Sequence, residues 1–179
     1  SLASEPEQFA ATELQSCLKE IGGVNLPIVD CGQGTKGKRI IIGLNKDSKR
    51  LFWWERKRNA DDESFTYKNK RGDIVIIGGE NRGTMYGVFS FLENELGCRW
   101  LAEDCTVMPK RQTYAFTALK HSETPAFSRR SVLYSGGRDL IYQIHNRLNE
   151  HIKNSPGKTE KQIGGSVCID QAALFFISI

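Results

Sequence analysis

The chain lacks the features that mark several common protein classes. Its five cysteines form no CxxC pair, and its three histidines are scattered, which argues against a zinc site. No apolar run is long enough to cross a bilayer. The 25 basic and 21 acidic residues are interspersed, so a net charge of +4 is too weak a bias to indicate a nucleic-acid partner. We therefore predict no metal, no cofactor, no nucleic acid and no membrane span.

Motifs for phosphate binding and for hydrolysis are also missing. Gly78 and Gly83 have the four-residue gap of a phosphate loop, but Thr84 follows where the loop needs a lysine. No nucleophile elbow and no serine-histidine pairing stands out. Glycoside hydrolysis needs two carboxylates across a cleft, whereas Glu93 and Glu95 are predicted on the exposed side of one helix. The sequence predicts no catalytic residue, and an anion site at a glycine-flanked helix N-terminus is the alternative.

What the chain does contain is 39% hydrophobic and 26% charged residues, a globular composition, organised around residues 73–97. Ile74–Ile77 is an unbroken β-branched run, which predicts a buried strand. Gly78 and Gly79 then allow backbone dihedrals that a side chain would forbid, and Asn81 or Thr84 can cap the following helix. The helix is predicted from one apolar stripe closed by a glycine: Met85, Val88, Phe89, Leu92, Leu96 and Gly97.

The other predicted elements surround this unit. A helix begins at Ser4 and ends at Gly22, with an apolar stripe that includes Cys17. Ser64–Lys70 alternates polar and apolar residues and predicts a hairpin with the strand at residue 73. Further strands are predicted at Leu26–Val29, Arg39–Leu44, Arg99–Leu101, Thr106–Met108 and Tyr114–Leu119. Together these elements predict an α+β fold, with one mixed sheet and helices packed on one face.

Residues 45–58 combine six basic side chains with Phe52, Trp53 and Trp54. Basic and aromatic side chains together can stack on bases or sugars, so this segment could act as a stand-alone carbohydrate- or nucleic-acid-binding module. The favoured interpretation is an amphipathic anchor with Leu51, Phe52 and Trp54 beneath a solvated basic face, because nearby acidic residues offset the charge.

The pattern changes near Ser122–Pro125, which predicts a domain boundary. Beyond it, Ser131–Tyr134 is predicted as a strand and Arg138–Lys153 as a helix. The apolar end at residues 167–179 is either a strand added to the sheet or an abnormal end of an interrupted protein.

The cysteines leave two possibilities open. Cys17 is predicted to be a buried free thiol that behaves as a small hydrophobic residue. The odd number of cysteines does not support a full disulfide framework, but one bridge, for instance from Cys98 or Cys105, is compatible with the sequence.

A family resemblance follows from three stretches: IVIIGGENRGTMYGVFSFLENELGCRWL, the preceding SFTYKNK and the early FAATELQSCLKEIGG. Together they resemble the N-terminal domain of bacterial α-glucuronidase-like glycoside hydrolases, and are similar to the domain that precedes the barrel in family 20 β-hexosaminidases. The resemblance covers Phe9–Leu133 and is most specific in the Gly-Gly and Arg-Gly-Thr-Met-Tyr-Gly strings. It implies an α/β accessory domain at 1–122 and the start of a (β/α) barrel, incomplete here, at 123–179.

The resemblance also implies a function. In such enzymes the catalytic carboxylates lie on later barrel strands, so this chain is expected to be a non-catalytic domain that braces the barrel and shapes its sugar cleft. Arg130, or less favourably Arg129, matches a sugar-binding arginine at the start of the first barrel strand, where a planar guanidinium can bind hydroxyls or a uronic carboxylate. Trp53 and Trp54 are further carbohydrate-binding candidates. The parent protein is expected to contact carbohydrate and to be periplasmic or extracellular.

Overall fold

The computed structural model describes residues 3–30, 37–45, 48–49, 63–79, 82–110, 113–116, 118–132, 139–149, 167–170 and 176–178. The helices are α1 (Glu5–Gly22), α2 (Gly83–Asn94) and α3 (Leu140–His145). The strands are β1 (Ile28–Asp30), β2 (Arg39–Ile42), β3 (Phe65–Lys70), β4 (Asp73–Gly78), β5 (Arg99–Ala102), β6 (Cys105–Val107), β7 (Thr113–Ala115), β8 (Lys120–Glu123), β9 (Val167–Asp170) and β10 (Phe176–Ser178).

Six of these strands form one open sheet in the order β1-β9-β2-β4-β3-β8. The β2–β4 pair is parallel and the other neighbours are antiparallel, so the sheet is mixed. Strands β5 and β6 form a separate antiparallel hairpin, and β10 pairs with β7 in parallel. The predicted α+β class with a mixed sheet is confirmed.

Helix α1 forms where its sequence predicts. The Glu7 carboxylate accepts hydrogen bonds from the backbone N–H and the hydroxyl of Ser4, both at 3.0 Å, which satisfies the start of the helix. Burial raises the pKa of Glu7, and the bonds from Ser4 oppose that rise. Gly23 ends the helix in the left-handed region at φ 75°. The predicted stripe is buried: Ala10, Leu14, Cys17, Leu18 and Ile21.

The predicted hairpin is also confirmed. Strands β3 and β4 pair from Phe65 opposite Gly78 to Lys70 opposite Asp73. Arg71 at φ 57° and Gly72 at φ 92° make the two-residue turn, whose left-handed conformations match the twist of the flanking strands. Asp73 also accepts a hydrogen bond from the Arg39 guanidinium at 2.9 Å, which ties β4 to β2.

The isoleucine-rich strands bury both of their faces. Ile40, Ile42, Ile74 and Ile76 belong to the main core together with residues of α1 and α2, which pack on that face of the sheet. The alternate residues Ile41, Val75 and Ile77 form a second buried cluster with Val29. Because successive side chains of a strand point to opposite faces, the unbroken apolar runs reflect burial on both sides.

The start of α2 differs from the sequence expectation. Its N-cap is Arg82, which makes no side-chain capping bond. The Thr84 hydroxyl instead accepts a hydrogen bond from the Gly78 N–H at 3.0 Å, while Asn81 lies outside the described residues. Gly78 is not among the glycines with positive φ, so its small size, rather than its dihedral freedom, is what the turn requires. Gly97, at φ 84°, does adopt the left-handed conformation expected after this helix.

The region after residue 123 also departs from prediction. Helix α3 ends at His145 rather than at Lys153, because Arg147 takes a left-handed φ of 57° and the Leu148 N–H bonds back to the Gln143 carbonyl at 2.8 Å. Residues 131 and 132 are not in a strand, and residues 133 and 134 lie outside the described part. In the apolar end, β9 is added to the sheet between β1 and β2, and β10 pairs with β7, while the alternative of an abnormal end stays a prediction.

Candidate functional site

Arg130, the favoured sugar-binding candidate, uses its guanidinium group for contacts within the chain. Nε donates to the backbone carbonyl of Arg147 at 2.9 Å, and Nη1 donates to that of Phe127 at 2.7 Å. Nη2 donates to Oε2 of Glu63. A sugar bound by Arg130 would therefore have to use N–H groups that these three bonds leave over.

Glu63 joins two arginines that are distant in the sequence. Its Oε1 lies 3.1 Å from Nη2 of Arg82, and its Oε2 is paired with Arg130. The side chains of Arg130 and Glu63 are only 19% and 12% exposed, so water competes weakly for this ion pair. We call the residues around this carboxylate the Glu63 cluster: Glu63, Arg82, Tyr86, Arg130 and Asn149.

Asn149 fastens the backbone on both sides of Arg130. The Asn149 Oδ1 accepts a hydrogen bond from the backbone N–H of Arg130 at 2.8 Å. The backbone N–H of Asn149 donates a hydrogen bond to the Arg130 carbonyl at 3.0 Å. Its Nδ2 donates to the Ser128 carbonyl at 2.7 Å and to Glu63 Oε2 at 3.2 Å. The turn that ends α3 at His145 places Asn149 here, so the early helix end is what completes the cluster.

Tyr86 forms the floor of the cluster. The Arg130 guanidinium carbon lies 5.6 Å from the centre of the Tyr86 ring, within the range of a cation–π contact. The Tyr86 hydroxyl donates to the Leu148 carbonyl at 3.2 Å. Burial, with the nearby Glu63 carboxylate, raises the pKa of Tyr86 to about 12, although Arg82 and Arg130 oppose the rise.

This raised pKa predicts a loss of stability in alkali. The unfolded chain ionises tyrosine near pH 10, so the Tyr86 contribution is complete below that pH and is lost as the pH rises towards about 12. Between about pH 9 and about pH 11, the free energy of unfolding should fall by about 1 kcal/mol more in the wild type than in Tyr86→Phe. Urea unfolding at both pH values measures this difference. An equal fall in unfolding free energy in the wild type and in Tyr86→Phe would contradict the prediction.

The other sequence-predicted site residues are Arg129, Trp53 and Trp54. Arg129 is exposed, next to Arg130. Trp53 and Trp54 lie outside the described residues, as does most of the 45–58 segment, so the stacking and anchor interpretations stay predictions.

The two acids predicted on the exposed side of α2 are half-buried and paired. Glu95 accepts a hydrogen bond from the Tyr67 hydroxyl at 3.0 Å, and Glu93 lies 2.8 Å from the Arg147 guanidinium. They are therefore contacts between elements rather than freely solvated charges. The first turn of α2, the alternative anion site, is packed against the end of β4, with Gly83 and Thr84 both buried.

The described residues contain neither a metal-binding cluster nor a membrane-spanning helix. In this part of the chain, no group of three or more histidine, cysteine, aspartate or glutamate side chains could hold a metal ion. None of the helices described here is long and apolar enough to cross a membrane.

Sequence reasoning identified Arg130 but missed its partners. Glu63 is one of the acidic residues that follow the basic segment at 45–58, and the sequence predicts no role for Arg82 or Asn149. The Glu63–Arg130 contact joins residues 67 positions apart, and no periodic pattern encodes a contact at that separation. One local feature of the sequence could have pointed to the cluster, namely that Arg82 lies next to the start of the predicted helix.

The fold and this cluster define an α+β domain whose polar interior contacts hold its own segments in place. The chain belongs to the family described as glycosyl hydrolase family 67 N-terminus, which it matches over residues 2–91, about half of its length. The matched region runs from α1 into α2 and so includes the hairpin, the glycine turn, Glu63 and Arg82. The suspected relationship to the N-terminal domain of α-glucuronidase-like hydrolases is confirmed, and the chain is a glycoside hydrolase accessory domain. No curated protein and no solved structure matches the chain.

Proposed function

We propose that this domain braces the catalytic barrel of a family 67 glycoside hydrolase and shapes one edge of its sugar cleft, without catalysing hydrolysis itself. The observation that carries the proposal is the Glu63 cluster, which fixes the segment around Arg130 to the domain. In this proposal that segment leads into the barrel, and the parent protein acts on carbohydrate in the periplasm or outside the cell.

The cluster suits a mechanical role because it holds both the backbone and the side chain of Arg130. Two backbone hydrogen bonds to Asn149 set the position of the residue, and the Glu63 ion pair sets its direction. A segment held at several points loses little further entropy when it docks, so it can orient a neighbouring domain. Sugar binding by Arg130 or Arg129 would be an addition to this role.

The β5–β6 hairpin supplies a surface on which a barrel could pack. Trp100 faces inwards and stacks on His145 with ring centres 4.5 Å apart. Leu101 and Val107 of this hairpin are 61% and 47% exposed. Arg99 pairs with Val107 in the register, and Leu101 lies at the irregularity between Trp100 and Ala102. Exposed apolar side chains grouped in this way are typical of an interaction surface.

The described carboxylates support the non-catalytic part of the proposal. Several are engaged in contacts inside the domain, whereas hydrolysis requires two carboxylates that face a substrate across a cleft. They are Glu7 with Ser4, Glu13 with His145, Glu63 with Arg82 and Arg130, Asp73 with Arg39, Glu93 with Arg147, Glu95 with Tyr67, and Asp139 with the Tyr142 N–H.

A turnover assay tests the catalytic question. The purified chain, incubated with aryl glucuronides and aryl N-acetylhexosaminides, should release no aryl alcohol above a heat-killed control. Reproducible release that is proportional to protein concentration would overturn the non-catalytic assignment.

The bracing role requires a parent polypeptide in which this domain precedes a barrel, and its test is made there. Leu101→Asp with Val107→Asp should shorten the thermal-inactivation half-life of the parent's glucuronidase activity several-fold, because the charges would be desolvated at the domain interface. The same double change should alter the unfolding free energy of the isolated chain by less than about 1 kcal/mol, since both side chains are exposed. Thr106→Ser on the same hairpin is the matched control. An unchanged half-life would contradict bracing through this hairpin.

A further inference from the structure

We propose that the gap between β1 and β2 is a strand-binding site that takes up β9 either from the same chain or from a second copy, so that the chain forms strand-exchanged dimers. Strand β9 lies between β1 and β2 and runs antiparallel to both. Strand β10, further along the chain, pairs with β7 in a different sheet. We call β9 and β10 together the arm.

Backbone pairing surrounds β9 on both sides. The register places Val29 of β1 and Ile41 of β2 opposite Cys168. Among the described strands, β9 is the neighbour through which β1 joins the sheet, and β2 is buried on both of its faces. Without β9, the facing N–H and C=O groups of β1 and β2 would lack these partners. Because buried backbone groups without hydrogen bonds are unfavourable, the gap favours a strand of matching direction and register.

The two sides of the gap and the strand within it come from separate parts of the sequence. The family match, residues 2–91, includes β1 and β2 but not β9. Residues 150–166 connect Asn149 to β9. A connection of this length spans up to roughly 60 Å when fully extended. It is therefore long enough for β9 to reach the gap of a neighbouring copy.

A second copy is the occupant that fits this gap, because it carries the same strand. Exchange leaves the register unchanged: Val29 of one copy pairs with Cys168 of the other, and no new interface has to be designed. Reciprocal exchange between two identical chains gives a closed twofold dimer rather than a filament. The pairing of β10 with β7 is transferred in the same way, since both strands belong to the arm.

Protein concentration decides between the two modes. The connection holds β9 near its own gap at an effective concentration on the order of 1 mM. Chains that fold at about 10 µM should therefore form almost only monomers, whereas chains that fold at about 1 mM should form a substantial share of dimers. A dimer persists once it has formed, because release of β9 breaks its hydrogen bonds with both neighbours.

Refolding of the wild-type chain tests this directly. The full chain is unfolded in urea with reductant present and refolded at about 10 µM and at about 1 mM. Size-exclusion chromatography with light scattering then separates the monomer, of 20.2 kDa, from a species of twice that mass. We expect the share of dimer to be at least about tenfold larger after refolding at the higher concentration.

A cross-link identifies which copy supplies the strand. Val29→Cys places a second thiol opposite Cys168, at a Cα separation of roughly 4.5 to 5.5 Å that a disulfide can bridge. Cys31→Ser and Cys105→Ser are added to remove competing thiols. The separated dimer and monomer are oxidised and analysed by denaturing electrophoresis without reductant. We expect the cross-link to join two chains in the dimer and to close within one chain in the monomer. The matched control, Cys168→Ser in the same background, should remove both cross-links.

Two results would overturn the proposal. One is a monomer peak alone after refolding of the wild type at about 1 mM. The other is a dimer in which no cross-link from Val29→Cys joins the two chains, since that dimer would associate through another surface. Neither result depends on glycosidase activity or on barrel bracing, so strand exchange can fail while the proposed function stands.

Discussion

Gly78→Ala is expected to prevent folding, or to lower the free energy of unfolding by more than about 3 kcal/mol. An added Cβ would lie 2.1 Å from the carbonyl carbon of Gly83 and 2.2 Å from the nitrogen of Thr84. Both atoms belong to the backbone at the start of α2, so no side-chain rotation can relieve the clash. The helix would have to move away from β4 and break the bond from the Gly78 N–H to the Thr84 hydroxyl. Circular dichroism and urea unfolding measure the effect.

Two other glycines make graded controls. At Gly87, a Cβ would meet the Ile76 Cγ2 at 2.9 Å and the Phe65 Cβ at 3.1 Å, so Gly87→Ala should cost about 1 to 3 kcal/mol. At Gly23, a Cβ would meet nothing within 4 Å, and the cost of about 1 kcal/mol comes only from its φ of 75°. If Gly78→Ala lowered the free energy of unfolding by no more than Gly23→Ala, α2 would not be packed closely on the end of β4.

Glu63→Ala should destabilise the chain by about 3 kcal/mol. The change leaves the Arg82 and Arg130 guanidinium groups without their shared carboxylate and removes an acceptor of the Asn149 amide. All three charged side chains are partly exposed, which places the estimate at the low end for a buried ion pair. Glu63→Gln keeps the size but not the charge and should recover only part of the loss. Urea unfolding of both variants gives the two values.

A double-mutant cycle separates this cluster from ordinary surface charge. Glu63→Ala and Arg130→Ala should be non-additive by at least about 1 kcal/mol, because each change alone removes the same interaction. Lys110→Ala is the control, since its pair with Glu20 is exposed, at 72% and 55%, and should contribute less than about 1 kcal/mol. Additive effects of the two cluster changes would show that Glu63 and Arg130 do not act together.

Part of the fold is determined by local sequence patterns. The β3–β4 hairpin follows from alternation and a two-residue turn, α1 from its capping residues and apolar stripe, and the two-sided burial of β2 and β4 from unbroken isoleucine runs. These features depend on neighbours within a few positions, and the sequence string around Gly78 was specific enough to indicate the family.

The helix after Asp139 shows where local reasoning fails. Its apolar residues continue at helical spacing beyond His145, yet the chain turns at Arg147, a non-glycine residue in the left-handed region. That conformation is unfavourable by itself. It coincides with three hydrogen bonds that an extended helix would lose: Arg130 Nε donates to the Arg147 carbonyl, the Arg130 N–H donates to Asn149 Oδ1, and Asn149 Nδ2 donates to Glu63. Tertiary contacts therefore outweigh helical periodicity here.

The sequence by itself determined the hairpin, the two long helices, the mixed sheet and the family to which the domain belongs. Only the tertiary structure decided that Arg130 pairs with Glu63 and that Gly78 is required for space rather than for its dihedral angle. The reason is physical: periodicity and turn preferences act over a few residues, whereas these contacts join side chains brought together only when the helices pack on the sheet.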